Sequence, residues 1–271
     1  MQTTKKLSLA YSPCPNDSYV LGAIASGGVA IPGVEFDITL LDIDALNNAA
    51  LEQRYDIIKV SCHTYLQIRE NYKLLNTGAA IGYGSGPLLL SSQIRSLHEL
   101  QDCSVIFPGK QTTAYLLFQL LGIETGEHYF IPYNEIIPRV KSGEFDCGVI
   151  IHESRFTYKD SGLYFICDLG EWWENETRLP VPLGCFVIRK SIDDKFAGEF
   201  ESLMRRSFCE RTVDDVDSDQ YIINNSQEMD PMVLKSHIEL YVNTFTESLG
   251  SMGHRAINIL AKRASLRGLI P

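Results

Sequence analysis

Twice in its 271 residues the chain follows the same course: the end of a helix, a short polar turn, an aspartate, a hydrophobic strand, and polar residues at the strand's exit. The two stretches are LEQRYDIIKVS at 51–61 and VKSGEFDCGVIIH at 140–152. They share a plan and not a sequence repeat. Short apolar strands alternating with helical segments point to α/β layers. In such open sheets ligands sit beyond the carboxyl ends of strands, so the polar residues just after strands carry the functional weight.

In the first unit, 7–11, 34–41 and 56–61 read as strands. Helices read over 19–27, capped by Asn16 or Asp17 and ended by Gly27 and Gly28, and over 42–54, with Asp42 or Asp44 near its start. The second unit offers strands at 104–107, 129–133 and 146–153. Its helices are one ended by Gly122 and one over 134–145, where Pro138 fits only near the start or at a kink. Residues 84–98 read as a crossover and 180–190 as a return. The chain beyond 193 is helical in pattern apart from a polar stretch at 211–231, with single helices expected over 237–250 and 253–268. The expected architecture is two α/β lobes around a cleft. Residues 1–88 and 188–271 make the first lobe and 89–187 the second.

Composition narrows the function. The net charge is −10, from 24 Lys and Arg against 34 Asp and Glu, with no basic cluster to track a phosphate backbone, so nucleic-acid binding is not expected. No stretch approaches the ~20 apolar residues of a membrane span, and the start, MQTTKKLSLA, lacks a signal-peptide core. Seven cysteines without CxxC spacing read as reduced thiols in a cytoplasmic protein.

The strand exits supply the candidate chemistry: Ser12–Asp17, Lys59–His63, Lys110–Thr113 and His152–Arg155, together with the glycine-rich 82–86. His152 follows the hydrophobic run GVII and takes and returns protons near neutral pH if it faces the cleft. The bland alternative is a histidine that caps a buried network. His63 holds the parallel place in the first unit and reads as a rim or supporting residue. Thr112 and Thr113 lie at a helix start, where they hold an anion or one of them merely caps the helix. Lys59, in an apolar strand, needs a partner: a substrate carboxylate, Asp56 or Glu153. Cys14 lies between two prolines, and a nucleophilic role needs a base or a helix start beside it. Trp172 and Trp173 stack a ligand ring or pack in the core.

Several motifs are excluded. PGKQTT is not a P-loop, GYGSG is not GxGxxG, and HESRF lacks the second histidine of HExxH. Zinc-protease and P-loop chemistry are therefore not expected.

Seven segments in this order closely resemble the 1,4-dihydroxy-6-naphthoate synthase family: SPCPND at 12–17, KVS at 59–61, YGSGPLL at 83–89, PGKQTTA at 108–114, GVIIHESRFTY at 148–158, LGEWWE at 169–174 and LPVPLG at 179–184. The resemblance implies the two-lobed fold of type II periplasmic binding proteins. It implies a cofactor-free lyase of menaquinone biosynthesis, which releases the naphthoate from the sugar-derived part of cyclic dehypoxanthine futalosine. It places the family's proton acceptor on His152 and its substrate-binding positions on Lys59, Val60, Ser61, Thr112 and Thr113. Asn16, Asp17, Ser85, Gly86, Glu153, Trp172 and Leu183 are further candidates to line the cleft. The implied partner is a small-molecule carboxylate, and a homodimer is compatible with the resemblance. Chorismate dehydratase of the same pathway shares the fold, but SPCPND and IHE side with the synthase. A small-anion binding protein is the non-enzyme alternative. A LysR-type effector module would need a helix-turn-helix before residue 7, which this sequence does not show.

Overall fold

The computed structural model describes residues 4–209, 211, 219–226 and 230–270. The first three residues of the basic start, and 212–218 and 227–229 of the polar stretch at 211–231, lie outside the described residues.

The first lobe is a six-stranded mixed sheet. β1 (Lys5–Tyr11), β2 (Val34–Leu40) and β3 (Ile57–Ser61) run parallel in the order β2-β1-β3. β11 (Val181–Arg189) lies antiparallel to β3 and also pairs with the short β4 (Tyr72–Leu74) and β5 (Ala80–Gly82). The second sheet has the order β10-β6-β9-β7-β8, built from β6 (Leu88–Ser91), β7 (Val105–Phe107), β8 (His128–Phe130), β9 (Cys147–Ile150) and β10 (Tyr164–Asp168). The chain leaves the first sheet after β5 and returns at Val181, earlier than the residue 188 expected from sequence. Its prolines and Gly184 read as a linker, yet Val181, Pro182 and Gly184 already pair with β5.

α1 (Pro15–Ala25) and α2 (Ile43–Leu51) connect the parallel strands of the first lobe, and α3 (Cys62–Ile68) follows β3 directly. The N-cap of α1 lies two residues before Asn16 and three before Asp17, the caps expected. Cys14 is its N-cap and Pro15 stands in the first turn, where its fixed φ and missing N–H cost nothing. Asn16 and Asp17 are therefore inside the helix and buried. The end at Gly27 is as read, with φ +76°.

In the second lobe α4 (Thr113–Leu121) begins at its N-cap Thr112 and ends at Gly122, whose φ of 74° closes the helix in the left-handed region. β8 stops at Phe130 because Pro132 is the N-cap of α5 (Tyr133–Lys141). Pro138 then falls inside α5, against the expectation, in a helix that buries Tyr133, Ile136 and Val140 on one face. α6 (Ser154–Thr157) and α7 (Leu169–Thr177) complete this part.

The C-terminal helices return to the first lobe: α8 (Asp194–Phe208), α9 (Gln220–Asn225), α10 (Pro231–Tyr241), α11 (Thr244–Glu247) and α12 (Gly250–Leu266). The single helix expected over 237–250 is two. Asn243 forms a capping box with Thr246 and restarts the helix after Tyr241.

The lobes share a core. One apolar cluster includes Val60 and Val187 of the first sheet together with Phe107 and Val149 of the second. No helix among the described residues is long and apolar enough to cross a membrane.

Candidate active site

Between the lobes lies a cavity of about 90 Å³. Each wall follows from a local rule of chain geometry. β3 is buried along its whole length, and alternation sends Lys59 and Ser61 to the cavity while Val60 packs into the core. Val60 is thus no side-chain wall of the site, contrary to the expectation. The exit of β1 feeds α1, whose first turn brings Asn16 and Asp17 to the same space.

Two of the three ammonium protons of Lys59 are already engaged. Its Nζ donates to Asp17 Oδ1 at 2.7 Å and to the Gly78 carbonyl at 3.0 Å. Both side chains are about 95% buried (5% and 3% exposed), so each charge depends on the other. Asp56 and Glu153, the partners considered from sequence, are engaged elsewhere. Asp56 accepts from the backbone and hydroxyl of Ser8, and Glu153 accepts from the Tyr133 hydroxyl. Asp17 also accepts from the Ser12 hydroxyl at 2.7 Å and the Asn16 amide at 2.8 Å.

The threonine pair has two different jobs. Thr112 Oγ1 caps α4 by accepting from the Tyr115 N–H, and it donates to the Gly109 carbonyl at 2.8 Å. Thr113 Oγ1 accepts from the His63 N–H at 3.1 Å and donates to the Leu183 carbonyl at 2.8 Å. It thereby ties α3 and β11 of one lobe to α4 of the other. His63 supports the same point: it is buried, its Nδ1 lies 3.3 Å from the Thr112 carbonyl, and burial lowers its pKa. With both hydroxyls committed, α4 offers the cavity its first N–H groups, at Thr113 and Ala114, which have no partner within a helix. The positive end of the helix dipole adds to them.

Ser61 is held by Asn47, whose amide donates to Ser61 Oγ at 3.0 Å and whose oxygen accepts the Ser61 N–H. The serine's own proton can then point into the cavity.

His152 follows β9 in the left-handed region, at φ +58°. A non-glycine residue there is strained by ~1–2 kcal/mol. The turn places the imidazole on the cavity wall, 3.2 Å through Nδ1 from Cys14 Sγ and with its ring 4.9 Å from that of Tyr133. Burial lowers the His152 pKa, while the carboxylates of Glu153, Asp17 and Asp42 pull the other way. The Cys14 thiol is pushed well up, chiefly by burial and then by Glu153 and Asp17. Cys14 is therefore a neutral thiol beside a neutral imidazole and not an activated nucleophile.

Ser85, Gly86 and Leu183 also line the cavity. Gly86 is required by packing, because a Cβ there would stand 2.2 Å from the Cα of Gly170. Arg155 fixes this loop, donating to the Gly86 carbonyl and pairing with Asp168 at 2.6 Å. Trp172 does not reach the cavity. It packs against the shared core, and Trp173 is fully buried with its indole N–H on the Pro180 carbonyl. Glu153 also stands behind the wall and not on it. Among the described residues no group of three His, Cys, Asp or Glu side chains is placed to hold a metal ion.

A family model described as menaquinone biosynthesis matches residues 7–266. The chain belongs to this menaquinone-biosynthesis family. It is 41% identical to a 1,4-dihydroxy-6-naphthoate synthase of Streptomyces coelicolor, over 98% of this chain and 95% of that protein. It is 38% identical to one of Thermus thermophilus, over 97% and 95%. A solved protein of Archaeoglobus fulgidus superposes with a TM-score of 0.90 at 31% identity, covering 98% of each chain. The alkanesulfonate-binding protein of Xanthomonas axonopodis pv. citri superposes at 0.71 with 12% identity, over 100% of this chain and 96% of that one, and shows the fold alone. The fold is that of the type II periplasmic binding proteins.

In this member of the menaquinone-biosynthesis family, sequence reading missed one part of the site. α10 brings His237 and Tyr241 to the cavity. Both lie more than 50 residues beyond the last motif, on a helix whose apolar spacing reads as core packing. An imidazole on such a face carries no local signal.

Proposed function

We propose that the cleft performs the 1,4-dihydroxy-6-naphthoate synthase reaction on cyclic dehypoxanthine futalosine, with His152 as the proton acceptor. The observation that carries this reading is an imidazole held on the cavity wall by a left-handed turn, in the same cavity as the start of α4.

Charge decides the orientation of the substrate. The amides of Thr113 and Ala114 and the end of the α4 dipole take the carboxylate. Lys59 is neutralised by Asp17 and shapes the floor. His152 takes the hemiacetal hydroxyl proton and returns it to the ring oxygen as the C–O bond breaks and the carbonyl forms; it then takes a second hydroxyl proton as that oxygen becomes a carbonyl and the carbon–carbon bond breaks in a retro-aldol cleavage. The electron pair stays on the naphthalene side, where aromatisation drives the step. The Ser61 hydroxyl donates to oxygen that gains negative charge. Cys14 accepts the Nδ1–H of His152 and leaves Nε2 as the base. Glu153, Asp17 and Asp42 favour the imidazolium once it forms.

Incubation of the purified protein with the cyclic substrate tests the reading. Naphthoate absorbance should rise in proportion to protein. Tight binding of a substrate that remains unchanged would favour a receptor of the same fold.

The pH profile follows from the same imidazole. Burial lowers the His152 pKa from the ordinary 6.5. The base form is required, so activity is present above the folded-state pKa and is lost as pH falls through it. The acid limb of kcat/KM should therefore lie below pH 6.5. A limb above that value would show that another group limits the rate.

A further inference from the structure

His237 is a second imidazole on the cavity, and the mechanism above does not use it. It is 1% exposed. Its Nε2 lies 3.0 Å from Asn16 Oδ1. Asn16 is already oriented, because its amide nitrogen donates to Asp17 Oδ1. The oxygen of Asn16 is thus turned to His237 and accepts, so Nε2 carries the proton. Nδ1 is left as a bare lone pair, and it is buried with no partner. Burial, and then the neighbouring His152, push the pKa of this ring well down, so it stays neutral.

A buried acceptor without a donor is costly, by ~1–3 kcal/mol. The chain from Lys59 through Asp17 and Asn16 to His237 holds that acceptor in place. Ser85 Oγ is also buried without a partner, and Ser85 lines the same cavity. Tyr241 joins the two: its ring lies 4.6 Å from that of His237, and its hydroxyl donates to the Ser85 carbonyl at 3.3 Å. The rings of His237 and His152 are nearly parallel, with centroids 6.5 Å apart, so this wall adjoins the proposed base.

We propose that His237 Nδ1 and Ser85 Oγ form a subsite for hydroxyl groups of the sugar-derived part of the substrate. An acceptor-only nitrogen repels a carboxylate and pairs with an O–H. The helix start at α4 has the opposite preference. The two walls therefore prefer different groups of the substrate. The inference rests on the lyase reading of the cleft and assigns His237 and Ser85 as specificity residues within it.

The product naphthoate lacks the sugar-derived fragment and serves as the internal control. His237→Gln keeps a group for Asn16 and loses the Nδ1 acceptor, and Ser85→Ala removes the hydroxyl with little change in volume. Each should raise KM for cyclic dehypoxanthine futalosine by about tenfold. The inhibition constant of the naphthoate should change by less than about twofold. His237→Asn, which places an amide near the Nδ1 position, should recover part of the loss. Unchanged KM in both Gln and Ala variants would overturn the subsite, as would equal weakening of substrate and product. Wild-type protein that does not turn over the cyclic substrate would instead sink the lyase reading.

Discussion

His152→Ala should lower kcat by about 10²–10⁴-fold, with substrate binding retained. The size follows from what a positioned base contributes, and the retention follows from the site's design. The proposed carboxylate contacts come from α4 and the proposed hydroxyl contacts from α10 and the 83–87 loop, so none of them runs through His152. Truncation also relieves a left-handed backbone only slightly, because alanine is no better suited to φ +58° than histidine. Stopped turnover with little loss of affinity is therefore the signature expected. Steady-state kinetics gives kcat and isothermal titration of the variant gives the affinity. A variant with full turnover would remove His152 from the chemistry.

Lys59→Met should be the most destabilising single change in the floor of the cleft. The ammonium and Asp17 lie 2.7 Å apart with 5% and 3% exposure. Removing one partner leaves a buried carboxylate uncompensated, which costs roughly 3–5 kcal/mol. For a chain of this size that is about a 10 °C fall in thermal midpoint. Asp17 also orients Ser12 and Asn16, and Asn16 orients His237, so the variant should lose order along that whole row. Replacing both partners with apolar residues should recover much of the stability, because no bare charge then remains. A fall of under ~1 kcal/mol, as for an exposed pair, would show that water reaches the pair.

Strand exits were legible because hydrophobic runs ending in polar residues are a local pattern, and they led to Lys59, Ser61, the threonine pair and the segment ending in His152. Local pattern could not say which polar group meets which. Lys59 was weighed against Asp56 and Glu153, yet its partner sits on α1, 42 residues away along the chain. Thr113 looks like a ligand hydroxyl in sequence, but in the fold it is a strap between lobes. Val60 and Trp172 sit within functional motifs and serve packing: alternation along β3 turns Val60 into the core, and Trp172 lies half-buried against that core. His237 was invisible for the converse reason: it lies in a helix that looks structural and becomes part of the site only when α10 packs over the first lobe. The break at Asn243, which ends that helix where Tyr241 meets the cavity, depends on a capping box that competes with continuous helical periodicity.

The most direct test of the account is a crystal structure of the His152→Asn variant with cyclic dehypoxanthine futalosine bound. The account predicts the substrate carboxylate within hydrogen-bond reach of the Thr113 and Ala114 amides, its reacting ring against position 152, and its sugar-derived hydroxyls toward His237. A carboxylate seated on Lys59, or a reacting ring remote from position 152, would contradict it.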